Sequence, residues 1–176
     1  MTAGARQVLD DCKLALELLE QSPDEQFWRI HWFAAVILVR TVGDVLHKVD
    51  GQSEPYKTPV AEAYARWQSD RESSAIFWEF IKIQRNKLAH AYESDVHPLE
   101  RVHLAVEFDL ISVEDGSAKK VREAIEIDEN IYRPMLSGRW EGDDGRDVLQ
   151  TAIEWWEAEL RGIESQASAG APSPDR

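Results

Sequence analysis

Cysteine occurs once in this 176-residue chain, at Cys12, so no internal disulfide can staple it. A reducing compartment, the cytoplasm, is therefore expected. Cys12 sits beside Leu14 in a helical pattern and reads as a small core residue, not a nucleophile. The first residues, Met-Thr-Ala-Gly-Ala-Arg, lack the apolar core of a secretion signal. Long apolar runs are missing too. The longest nearly unbroken one, Trp32 to Val39, falls far short of the roughly 20 residues a membrane-spanning helix needs, so no bilayer span is expected. Positive charge is scarce: 20 Lys and Arg face 33 Asp and Glu, for a net charge of −13. That balance argues against a general nucleic-acid coat protein, whose affinity comes largely from cations neutralising phosphates. There is no Gly-rich phosphate loop, and His97 and His103 lack the spacing of a zinc site, so neither cofactor nor metal is indicated.

What is present is apolar mass. A 43% apolar fraction with seven Trp and five Phe is enough to offset the entropy of ordering one domain. Residues 1–165 are read as that domain, and the Ser, Ala, Pro and Gly rich residues 166–176 as a disordered tail. The spacing of Val8, Leu9, Cys12, Leu16 and Leu19 predicts a helix from Arg6 to Glu20. Ser22-Pro23-Asp24-Glu25 reads as a capped start for a second helix ending near Val49, before Gly51. Its middle is apolar on every side, which marks it as the central helix, packed on more than one face. Further helices are predicted over Val60 to Asp70, Ser74 to Glu93 and Arg146 to Glu164, with Asp143 or Asp144 capping the last. The fold class is thus all-α, an antiparallel helical bundle. Between Val102 and Ile111 the apolar residues alternate, and Glu114-Asp115-Gly116-Ser117 supplies a turn. A small β-hairpin near 102–127 and a helix from Pro98 to Val113 remain alternative readings of that stretch.

Charge is uneven along the chain. From Phe80 to Tyr92 there are three cations, Lys82, Arg85 and Lys87, and no acid. At about 100° per residue, Phe77, Ile81, Gln84 and Leu88 share one stripe, the inward face of the fourth helix. Asn86 and His90 lie one turn apart on another face, towards which Ile76 and Ile83 also point. Large apolar groups mixed with Asn and His predict contact with another helix or subunit there. Arg85 falls on the flank, about 140° from His90 by the same geometry.

The run Arg85-Asn86-Lys87-Leu88-Ala89-His90-Ala91-Tyr92 resembles the Arg-x4-6-His signature of the HEPN family, including the Asn that often follows its Arg. Tyr92 matches the Arg-x4-His-x-Tyr form of the toxin branch that is paired with a minimal nucleotidyltransferase. Two long antiparallel helices come first and the motif closes a later one, as in that family. The resemblance covers the helical parts, roughly residues 5–95 and 145–165, though only the motif is specific. It implies a helical homodimer whose two motifs meet in a cleft, metal-independent endoribonuclease activity on RNA, and a toxin or defence role. An antitoxin or nucleotidyltransferase partner and Tyr92 as a supporting or modified residue are implied as well. The 102–127 stretch and the acidic second half depart from the compact family core.

The residue types suit that chemistry on their own terms. Internal RNA cleavage takes a proton from a 2′-hydroxyl and stabilises charge on the phosphate. His90 is the candidate proton-transfer group, Arg85 the phosphate clamp, and Asn86 the residue that orients either. Asp44 can pair with Arg40 or Arg85 but reads first as a buried structural acid. His31 and His47 read as helix-packing residues and the Trp residues as core. The other function class compatible with the same helices is a noncatalytic nucleotide- or protein-binding module, and a third is a purely structural bundle.

Overall fold

The computed structural model describes residues 1–22, 25–97, 102–111, 116–127 and 132–170. Pro23 and Asp24 of the expected capping sequence, part of the 114–117 turn and the last six residues of the predicted tail lie outside them. The chain order is α1 (Ala3–Gln21), α2 (Glu25–Lys48), a 3₁₀ turn (Asp50–Gln52), α3 (Lys57–Ser69), a π-helical turn (Ile76–Ile81) running into α4 (Lys82–Ala91), β1 (Val102–Ile111), β2 (Ala118–Ile127) and α5 (Gly145–Ala169).

The bundle is α1 packed along α2, with α5 across both and α3 and α4 closing the remaining sides. Three-and-four spacing places Ala5, Leu9, Cys12, Ala15 and Leu19 of α1 in the core. Asp50 accepts hydrogen bonds from the backbone N–H groups of Gly4 and Ala5 (3.2 and 2.8 Å), satisfying donors that a helix N-terminus leaves open. Ser22 closes α1: its hydroxyl donates to Leu18 O (2.5 Å) and meets His31 Nδ1 at 2.8 Å.

Helix α2 buries Trp28, Trp32, Ala35, Val36, Val39, Val42 and Leu46. It is not packed all round, as its apolar middle suggests: Phe27, Ile30 and Ile37 are 62%, 56% and 41% exposed. The stretch Gln26–Gln52 is long and apolar enough, by length and composition, to cross a membrane, with a mean hydropathy of 1.3. A search for unbroken apolar runs overlooks it because Arg29, Arg40 and Asp44 interrupt the sequence. Trp156 of α5 lies wholly inside the bundle, its indole N–H bonded to Val39 O at 2.8 Å, and Gly43 makes room for its ring.

Asp144 caps α5, accepting from the backbone N–H of Arg146 at 2.9 Å, and also ion-pairs with the Arg146 guanidinium at 2.7 Å. Helix α5 runs past the expected Glu164 to Ala169, with Ala167 in the core, so residues 166–169 of the predicted tail are helical.

Val102–Ile111 and Ala118–Ile127 form the two strands of the hairpin reading, not the alternative helix. Val102 pairs with Ile127 and Ile111 with Ala118 in an antiparallel register. Val106, Phe108, Leu110, Val121 and Ile125 share one face, while Glu107, Asp109, Lys120 and Arg122 share the other, where Lys120 meets Glu107 at 2.9 Å. Among the described residues, neither strand contacts another element.

Candidate active site

The motif helix opens irregularly. Ile76–Ile81 is a π turn, which holds one residue more than an α-helical turn, so side chains before it are rotated relative to those after it. Phe77, Phe80, Ile81, Gln84 and Leu88 all point inward. Ile76, expected on the outer face with Ile83, is 7% exposed and part of the core, whereas Ile83 is 40% exposed. A straight α-helical wheel therefore misplaces Ile76, and the outer apolar face it implied on this helix shrinks to Ile83.

The three cations of the motif region have different surroundings. Lys82 lies over the Trp78 ring at 4.7 Å, and Lys87 ion-pairs with Asp95. Asp95 also accepts from the buried Gln84 amide (2.8 Å), so the chain after α4 folds back onto the helix. Arg85 is half-buried and donates to Asn86 Oδ1 at 3.1 Å; among the described residues it makes no ion pair. Asn86 thus touches Arg85 and, four residues before His90, shares a face with it. His90 is exposed in the last turn and makes no hydrogen bond among the described residues. Arg85 and His90 are separated by about 140° around the helix, and no hydrogen bond joins them among the described residues.

Tyr92 ends α4 in the left-handed region, at φ 55, with its N–H bonded to Leu88 O at 3.0 Å. Glycine is the usual occupant of such a helix end, so a Tyr there carries backbone strain. Its ring is 69% exposed and packs edge-on against Phe33 with 4.8 Å between centroids.

Asp44 does not reach Arg85. It pairs with Arg40 at 3.2 Å and Lys48 at 3.8 Å along α2 and is half-buried, not buried. It borders a cavity of about 150 Å³ shared with His47, Tyr64 and Phe77. Cys12 is fully buried, and burial first, then the neighbouring Asp11, pushes its thiol up to about 12, which leaves no thiolate at neutral pH.

Sequence reasoning passed over a second feature beside the motif. A cleft of about 280 Å³ opens next to Tyr92, lined by Trp28, Trp32 and Phe33 of α2 and by Arg133 from the loop before α5. Val96 and Met135 bridge there, and the backbone N–H of His97 bonds to Pro134 O at 2.9 Å. Arg133 is 1% exposed, its guanidinium 4.1 Å from the Trp28 ring. A lone Arg in an acidic loop gives no periodic signal, so only the fold reveals this placement.

No family model, no curated protein and no solved structure matches this chain.

Proposed function

We propose that the chain is a metal-independent endoribonuclease of HEPN type, acting as a homodimer in a cytoplasmic toxin or defence role, with an antitoxin or nucleotidyltransferase as partner. The observation that carries this reading is Arg85: in a chain of net charge −13 it stays half-buried with no carboxylate partner among the described residues, held by Asn86, on the helix that exposes His90. A phosphate is the natural complement of such a guanidinium. His90 takes the proton from the 2′-hydroxyl; the 2′-oxygen attacks phosphorus as the P–O5′ bond breaks; the 5′-oxygen takes a proton from water, the His90 proton passes to solvent, and a 2′,3′-cyclic phosphate remains. Arg85 stabilises the charge on the phosphoryl oxygens as the new bond forms.

The separation of Arg85 and His90 around one helix supports a site completed by two copies. The exposed Phe27, Ile30, Ala34 and Ile37 of α2 are spaced three, four and three apart, the repeat of a two-helix seam, and supply an apolar surface for that pairing. This strip replaces the face on α4 that Ile76 no longer serves. The 69% exposure of Tyr92 is compatible with its modification by a partner enzyme.

The test is cleavage of total cellular RNA in the presence of a chelator. Wild type yields 2′,3′-cyclic phosphate ends, and His90→Ala and Arg85→Ala each lose about 10²-fold or more in rate while keeping their helical spectrum. Full activity in both folded variants, or absolute dependence on a divalent metal, overturns the mechanism. The second reading, a noncatalytic nucleotide-binding module, draws on the aromatic cleft beside Tyr92 and forecasts no cleavage by the wild type.

A further inference from the structure

The cleft between α2, the 92–97 segment and Arg133 has the composition of a ligand site. Trp28 and Trp32 stack with 5.4 Å between ring centroids and 10° between planes, and Phe33 and Tyr92 form a second aromatic pair beside them. Its charged and titratable lining is Arg29, Tyr92, His97 and Arg133, with no carboxylate among the described residues, although acids outnumber cations in the chain by 33 to 20. Trp28, one of the lining residues, is 4% exposed, and its buried indole N–H has no hydrogen-bond partner among the described residues. Buried donors are almost always paired, and an open one on a residue that lines the cleft leaves a place for an acceptor once the side chain adjusts to a ligand.

A flat aromatic group with acceptor atoms at its edge satisfies the Trp28 donor and packs against the rings. A negative charge at its other end meets Arg29 and His97, both exposed, at the rim. At about 280 Å³ the cleft has the size of the smallest ligand pockets, roughly 300 Å³, which suits one nucleotide and not a stretch of several. We propose that this cleft binds a single nucleotide of the RNA substrate, its base among Trp28, Trp32, Phe33 and Tyr92 and its phosphate at Arg29 and His97, next to the bond cut at His90. The inference rests on the ribonuclease reading for its substrate and on the cleft alone for its chemistry. It gives Tyr92 a task that the motif by itself does not: its strained backbone turns the ring out of the helix end and into the wall of the base pocket.

The test is calorimetric titration of the full chain with the four 3′-nucleoside monophosphates, with the corresponding nucleosides and inorganic phosphate run beside them. At least one nucleotide binds saturably below about 1 mM, and its nucleoside and phosphate alone each bind about tenfold more weakly. Trp28→Phe, which keeps an aromatic ring and removes the indole donor, weakens the nucleotide about tenfold. Tyr92→Ala weakens it about five- to a hundredfold through lost stacking. Arg29→Ala with His97→Ala, both at exposed positions, abolishes the preference for nucleotide over nucleoside even if Trp28→Phe does not fold. Absence of saturable binding, equal binding of phosphate alone, or full affinity in the folded Trp28→Phe and Arg29→Ala/His97→Ala variants overturns the site. Nucleotide binding that survives in His90→Ala, with no RNA cut by the wild type, keeps the pocket and removes the nuclease. Cleavage by a wild type that binds no mononucleotide does the reverse.

Discussion

At Gly43 the backbone of α2 comes so close to α5 that an added Cβ would stand 2.8 Å from the Trp156 ring. Trp156 is fully buried and held by Val39, so neither partner can move aside cheaply. Gly43→Ala is expected to lower unfolding free energy by about 1–3 kcal/mol, read by chemical denaturation, despite the better helix propensity of Ala. A second residue-scale consequence concerns Glu164. Burial opposes ionisation of its carboxyl, but the hydrogen bonds from Arg6 (2.9 Å) and Thr2 (2.7 Å) outweigh it and bring the group down to about 2. Because the folded-state value lies below the unfolded one, near 4.3 for a Glu, this contact stabilises the fold above that value. The contribution fades as the pH falls from about 4.3 towards 2. Glu164→Gln should cost about 1–2 kcal/mol at pH 7, after allowance for solvent screening at this partly exposed pair. The gap between variant and wild type should close by about pH 2, as the wild-type carboxyl also becomes neutral. A difference independent of pH would assign the effect to packing instead of charge.

At the scale of elements, the hairpin and the π turn behave in opposite ways. Alternation over Val102–Ile111 is a local signal, and the strand follows it even though the hairpin stands clear of the bundle. Its stability comes from its own ladder and cross-strand pairs, which for two strands alone is marginal. Replacing residues 102–127 with a short Gly-Ser linker should therefore leave the helical melting midpoint within about 2 °C of wild type, followed by circular dichroism. A drop of many degrees would mean that the apolar hairpin face is covered in the folded protein. The π turn is the contrary case. Nothing in Ile76-Phe77-Trp78-Glu79-Phe80-Ile81 departs from a helical pattern, yet the ring cluster of Trp67, Phe77, Trp155 and Trp156 and the burial of both Phe80 and Ile81 accompany an extra residue in that turn. The inward stripe Phe77, Ile81, Gln84 and Leu88 is legible from spacing, whereas the orientation of Ile76 depends on how the turn packs.

For the molecule as a whole, the open strip on α2 carries the forecast of association. Light scattering at micromolar concentration should give twice the mass of one chain for wild type and a single chain for Ile30→Glu/Ile37→Glu, with the helical spectrum kept, since both residues are exposed in the isolated chain. A dimer that survives the double substitution would place the seam elsewhere. By itself the sequence determined the helical class, most element spans, a cap at Asp143 or Asp144 and the run from Arg85 to Tyr92, because periodicity, capping chemistry and the order of side chains on one helix are local properties of the chain. Tertiary structure alone decided that Lys87 is neutralised by Asp95 while Arg85 has no carboxylate among the described residues, and that Arg133 lies against Trp28 beside Tyr92. Each of these is a matter of which side chains, far apart in sequence or on different faces of a helix, come within a few ångströms and share a desolvated space. Such proximity arises from the packing of the whole core around Trp32 and Trp156, and no window of sequence contains it.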